Sequence, residues 1–186
     1  MAQRSNHYEA AFEAYVRQQR IPCVAVDECR RALFDDEGVK NPDFLLYPRF
    51  GVNLVVEVKG KRAKNSRGRR DWENWVTVDD LAGLARWQET FGPGFRAVLS
   101  FAYSEPPPPF SLPRGEGAFE FRGRHYRLWA VGLDDYMAHL RSRGSSWQAV
   151  AMARRAFRRR VRPLHEWLPM TPTATRRPRP VKERDR

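Results

Sequence analysis

Cysteine is nearly missing from this chain: Cys23 and Cys29 are the two in 186 residues. Their spacing suits neither a disulfide framework nor a zinc site, so buried free thiols are expected. Long apolar runs are missing too. No stretch approaches the roughly 20 residues that a membrane-spanning helix needs. The N-terminus, M-A-Q-R-S-N-H-Y-E-A-A-F-E, lacks the hydrophobic region of a signal peptide. The expectation is a cytoplasmic protein with no membrane partner and no small-molecule cofactor. Acidic residues are few beside basic ones, 22 against 34, for a net charge of +12. That balance favours a polyanionic partner without saying which. No helix-turn-helix, zinc-finger or RNA-recognition signature is present on which to hang sequence-specific reading. The length suits one good core and is too short for two ordinary domains.

What is present is a pair of acids followed by a lysine. Pro42-Asp43 precedes the apolar run Phe44-Leu45-Leu46, and Glu57-Val58-Lys59 ends the run L-V-V-E-V-K over 54–59. Strand side chains alternate in direction. Leu54, Val56 and Val58 therefore share one face, and Val55, Glu57 and Lys59 the other. A turn within 49–53 would bring Asp43 and Glu57 to the same end of an antiparallel pair. Two carboxylates with a backbone carbonyl suit a hard divalent cation such as magnesium or manganese. A lysine on the face of Glu57 could orient an attacking water or offset charge developing on phosphorus. The bland alternative is an ordinary Glu57–Lys59 pair at a strand end, with Asp43 a turn residue. A run of cations follows directly: Lys61, Arg62, Lys64, Arg67, Arg69 and Arg70. With Gly60, Ser66 and Gly68 it reads as a flexible loop suited to phosphate contacts, or else as a solubilising one.

These residues resemble the motifs of the PD-(D/E)XK nuclease superfamily, with Pro42-Asp43 as the first and Glu57-Val58-Lys59 as the second. Over residues 6–103 the order of elements looks most like that of archaeal Holliday-junction resolvases. The resemblance implies an α/β fold, with a central mixed β-sheet flanked by helices in a restriction-endonuclease-like core. It implies a metal-dependent DNA endonuclease, acting as a homodimer, with Mg2+ or Mn2+ in its place, and branched DNA as the first substrate to try. Asp43 and Glu57 would bind metal with the Val58 carbonyl, and Lys59 would assist the nucleophile. A glutamate of the first helix, Glu9 or Glu13, would complete the site, Glu9 being the better match. Gln88, on the helix after the lysine, would reach a phosphate or a metal-bound water, or simply face solvent beside Trp87. Other branches of the same chemistry are repair, restriction or mobile-element nucleases on flaps, nicks or ends. A non-catalytic nucleic-acid-binding protein is a further alternative, and RNA is not excluded as a partner.

The remaining elements are read from pattern. Tyr8, Phe12, Tyr15 and Val16 mark a first helix over 6–20, and 22–26 a strand. Residues 29–34 look helical. Asp27 and Glu28 would be caps or surface acids, with reach to the active edge as the other option. Thr77 is a candidate cap for a helix over 78–91, closed by Gly92-Pro93-Gly94. Trp72 and Trp75 would line the core or stack on bases. A strand follows over 95–102. The prolines at 106–109 stiffen a surface loop. Residues 119–121 and 126–131 form a hairpin around Arg122-Gly123-Arg124. Asp134 would cap a helix to about 143, and Ser145 or Ser146 another to about 162. The latter carries Arg154, Arg155, Arg158 and Arg159 for phosphate contact. Residues 1–168 are expected to form one domain, with 115–168 an elaboration of the core. From 169 a Pro- and Arg-rich tail is expected to be disordered and associated with the nucleoid's DNA.

Overall fold

Residues rich in Val, Leu and Phe make the two longest strands near the chain's middle. The computed structural model describes residues 6–27, 30–34, 37–62, 65–66, 69–70, 73–105, 118–142 and 148–169. Helix α1 (His7–Gln18) begins where the Asn6 side chain accepts the Tyr8 N–H. Then come β1 (Cys23–Ala25), a hairpin of β2 (Arg31–Phe34) and β3 (Glu37–Lys40), and β4 (Phe44–Leu46) with β5 (Asn53–Arg62). The short strands β6 (Asn65–Ser66) and β7 (Arg69–Arg70) pair with each other. β8 (Trp75–Thr77) enters α2 (Val78–Phe91), and a turn of 3-10 helix at Gly92–Gly94 leads to β9 (Phe95–Glu105). β10 (Ala118–Phe121) and β11 (Arg124–Gly132) form a hairpin. α3 (Leu133–Met137), β12 (Leu140–Ser142), β13 (Ala149–Met152), α4 (Arg154–Arg160) and β14 (Arg162–Pro163) follow.

The main sheet runs β1-β4-β5-β9-β11-β10, with β14 also on β11. Its β5–β9 pair is parallel and its other pairs are antiparallel, so the sheet is mixed. A parallel pair needs a crossover, and α2 supplies it. Helices cover both faces, giving an α/β fold. α1 sets Phe12 and Val16 against Leu54, Val56, Val58 and Val98. α2 and α4 set Leu81, Leu84 and Phe157 against Val55, Leu99 and Phe101. Burial on both sides explains why β5 and β9 read as nearly continuous apolar runs. Glu57 and Lys59 interrupt the face beneath α2, in register with Leu99 and Phe101 of β9.

Several expectations are corrected. Within the segment expected as a helix over 29–34, residues 31–34 are a strand, because β2 pairs with β3 and Phe34 meets the Trp87 ring of α2 edge-on. The helix expected from Asp134 to 143 stops at Met137 and has Gly132 at its N-cap. Within the segment expected as a helix over 145–162, residues 149–152 are a strand, followed by the seven residues of α4. The reason is pairing between distant segments: β13 lies between β12 and β8, and the Asn74 amide bonds both the N–H and the carbonyl of Met152. In the expected loop after Lys59, the strand continues to Arg62, and 65–66 pairs with 69–70. The prolines at 106–109, Glu28, Cys29, Trp72, Ser145, Ser146 and the tail from 170 lie outside the described residues.

The cap expected at Thr77 forms a reciprocal box. Its hydroxyl accepts the Asp80 N–H at 3.1 Å, and the Asp80 carboxylate accepts the Thr77 N–H at 2.9 Å. Thr77→Ala is therefore expected to cost about 1 kcal/mol. In thermal denaturation this would appear as a fall of roughly 2–4 °C in the midpoint.

Candidate active site

Asp43 stands just before β4, clipped between two strands. Its N–H donates to the Val56 carbonyl and its own carbonyl accepts the Val26 N–H, both at 3.0 Å. Its carboxylate accepts the Val58 N–H at 2.6 Å. Since β4 pairs Phe44 with Val56, Asp43 and Glu57 come to the same end of that pair. Both are 2% exposed. Glu9, in the first turn of α1, is buried as well and accepts from the Asn6 amide at 2.5 Å.

Glu57 and Lys59 share a face, and the Lys59 ammonium donates to Glu57 at 2.8 Å. Two further groups join them. Lys59 also reaches Asp80, at the start of α2, at 2.8 Å. Lys40, at the end of β3, bridges the same two acids, donating to Glu57 at 2.5 Å and to Asp80. Lys40 is placed by α2: the Trp87 indole N–H donates to its carbonyl at 3.0 Å. A Cβ at Gly83 would lie 2.8 Å from that carbonyl oxygen, so only glycine lets the helix approach so closely.

The electrostatics separate the acids. Burial, then Glu57 and Glu9, push the Asp43 carboxyl well above the usual carboxylate range, against the Val58 N–H and Lys59. Burial raises Glu57 too, with Lys59 and Lys40 opposing. Asp80 goes the other way. Burial opposes its ionisation, but Lys59, Lys40 and the Thr77 N–H outweigh that and hold it well below the usual range. Burial likewise disfavours the Lys40 ammonium, and Glu57 and Asp80 more than compensate. Burial thus outweighs its opposing partners at Asp43 and Glu57, whereas at Asp80 the two lysines and the Thr77 N–H outweigh burial.

Among the described residues, no three or more His, Cys, Asp or Glu are grouped to hold a metal ion as they stand. The donor chemistry nevertheless fits a hard divalent cation. Asp43 and Glu57 offer buried carboxylate oxygens, and burial and the neighbouring acids raise the proton affinity of both. Val58 lies between the two motif residues, with its side chain in the core beneath α1.

The other expected site residues are placed as follows. Glu13 bonds Arg17 one turn along α1, at 2.7 Å. The Gln88 side chain accepts the Ala97 N–H at 2.6 Å and donates to Asp134 at 3.3 Å, so both ends of its amide are engaged at the start of β9. Lys61, expected at a phosphate, is 5% exposed. Its ammonium donates to the Trp75 carbonyl at 2.9 Å and lies 3.4 Å from the centre of that ring. Arg62 is exposed at the end of β5. Lys64 and Arg67 lie outside the described residues, and only the backbone of Arg69 and Arg70, in β7, is described. Arg154, Arg155, Arg158 and Arg159 are exposed on α4, which Phe157 anchors edge-on against Phe101. Asp27 forms an exposed ion pair with Arg30. Sequence reasoning gave neither Lys40 nor Asp80 a place in the site. The one local signal was the T-x-x-D spacing of Thr77 and Asp80, which marks a capping box rather than a lysine partner.

No family model matches this chain, and no curated protein matches it. Among solved structures it is similar to Hjc, a Holliday junction resolvase from the archaeal hyperthermophile Archaeoglobus fulgidus. The identity is 12% over 87% of this chain and 93% of that chain, with a TM-score of 0.48. A likeness this distant assigns no residue its role. No helix among the described residues is long and apolar enough to cross a membrane.

Proposed function

We propose that this protein is a divalent-cation-dependent DNA endonuclease. The observation that carries the proposal is the meeting of two buried acids from adjacent strand segments with a lysine two residues beyond the second. Asp43 is fixed by the Val58 N–H, and Glu57 is bonded to Lys59. Asp43 and Glu57, with the Val58 carbonyl and Glu9, would hold the cation, Mg2+ or Mn2+ in its place. When bound it would polarise a phosphoryl oxygen and make water more acidic. The chain's own groups do the rest. Asp80 holds the Lys59 ammonium over Glu57, where it can orient a water or offset charge developing on phosphorus. Lys40 keeps the same two acids neutralised until a cation competes for them or a phosphate competes for the lysine. Exposed arginines on α4, under the sheet face that bears Glu57, supply sequence-independent backbone contact. Branched DNA is the first substrate to test, and a symmetric dimer would present two such sites to two strands.

One observation favours a second reading. Lys40 and Lys59 already close both Glu57 and Asp80. The cluster could therefore be a structural pin in a non-catalytic DNA-binding protein. Cleavage of labelled four-way, flap, nicked and linear DNA with Mg2+, then Mn2+, separates the two. Wild type is expected to cut, and Glu57→Gln and Lys59→Met to lose roughly 100-fold or more. A folded wild type that binds every substrate and cuts none would leave the pin.

A further inference from the structure

Arg122, at the tip of the β10–β11 hairpin, has φ of +50°, and Gly123 after it has +71°. Positive φ at both central positions gives the backbone twist that two-residue hairpins favour, and Asn, Asp or Gly usually holds the first of them. An arginine there keeps a left-handed backbone that asparagine would hold at lower cost. Its side chain is exposed, with the guanidinium 5.0 Å from the centre of the Phe121 ring. A guanidinium over an aromatic ring keeps its charge and N–H donors for a phosphate.

Two more arginines converge on the same edge. Arg62 of β5, Ser104 of β9 and Tyr126 of β11 lie in one row across three adjacent strands. Arg124 is two residues from Tyr126 and so on the same face. The start of α1 is fastened into this row. The His7 ring nitrogen lies 2.9 Å from the Tyr126 hydroxyl, and the Tyr8 hydroxyl 3.2 Å from that of Ser104. Burial, then Arg124 and Arg62, lower the proton affinity of His7, so both guanidinium groups act on one spot. Arg62, Arg122 and Arg124 are exposed, and among the described residues no carboxylate lies within ion-pair distance of them. From Val58, which holds Asp43, to Arg62 is four residues of β5, roughly 13 Å at about 3.3 Å each. That spans roughly four nucleotides of axial rise.

We propose that Arg62, Arg122 and Arg124 form a rim on the α1 face of the sheet that grips the phosphate backbone of duplex DNA, with the hairpin turn as its tip. The rim rests on the nuclease reading for its substrate and depends on no step of catalysis. The strained turn is retained because an asparagine would have no cation to reach the phosphates.

The test is binding of a labelled 30-base-pair duplex in EDTA across a salt series, with cleavage under Mg2+ run in parallel. The Arg122→Asn, Arg124→Gln double variant is expected to bind on the order of tenfold weaker near 0.1 M salt. Its log–log salt slope is expected to be shallower by about 1.8, which is two phosphate contacts. Arg122→Asn alone should melt no lower than wild type while binding more weakly, which a purely structural arginine would not do. Should that variant fold poorly, Arg62→Gln with Arg124→Gln leaves the turn intact and gives the same readout. Arg17→Gln, at the far end of α1, should leave the slope unchanged. Slopes equal to wild type in both double variants would overturn the rim, and so would a wild type that does not bind DNA. A wild type that binds with the expected slopes and never cuts would support the rim while the nuclease reading fails.

Discussion

Asp43→Asn is expected to lower Mg2+-dependent cleavage by roughly 100-fold or more while making the metal-free protein more stable near neutral pH. The two effects share a cause. Asp43 is buried beside Glu57 and Glu9, and its carboxyl holds a proton well above the usual range. Below the ordinary carboxylate pKa, 3.8, the group is protonated both folded and unfolded and has no effect on stability. As pH rises through that value the unfolded chain releases the proton first, so the folded state loses stability until its own higher pKa is passed. Asparagine removes that loss and can still accept the Val58 N–H. The melting temperature of the variant should therefore exceed that of wild type at about pH 7.5, with the gain fading towards about pH 3.5. Mg2+ or Mn2+ should raise the melting temperature of wild type and leave that of the variant unmoved, a readout independent of cleavage. A variant that melts lower at neutral pH and cuts as wild type does would sink the metal-holding role of Asp43.

Gly60→Ala is expected to destabilise the protein by about 3 kcal/mol, the upper part of the range for overpacking a core. That corresponds to a fall of roughly 6–12 °C in the thermal midpoint. The Tyr8 ring packs against β5 at this position. A Cβ on residue 60 would stand 2.1 Å from Cδ2 and 2.4 Å from Cγ of that ring. Cγ is the root of the ring, so a rotation of the side chain's far end does not clear the clash. The Tyr8 hydroxyl is also held near Ser104. α1 has to lift instead, and it carries Glu9 towards Asp43 in its first turn. Cleavage should fall with stability, and Tyr8→Ala should cost much less in the Gly60→Ala background than in wild type. An unchanged melting temperature in Gly60→Ala would mean that α1 does not rest on β5 in solution.

Much of the frame was legible in the chain because its signals are local. Alternation in L-V-V-E-V-K put Glu57 and Lys59 on one face of β5, and the structure keeps them there beneath α2. Thr77 and Gly92 bounded α2 through backbone hydrogen bonds that a cap and a glycine satisfy within a few residues. The Arg122-Gly123 turn announced its hairpin in the same way. Residues 31–34, 140–142 and 149–152 were misread because a strand is stabilised by a partner that can be distant in sequence. Phe34 finds Trp87, and Met152 finds Asn74, across separations that no short window contains. The site divides along the same line. Asp43, Glu57 and Lys59 followed from spacing and strand direction. Lys40 and Asp80 were decided by tertiary structure alone: Gly83 and Trp87 seat α2 against the end of β3, and that contact sets Lys40 between the buried Glu57 and Asp80. Alternation is a property of a single strand, whereas the pairing of charges from three elements exists only once those elements are packed together.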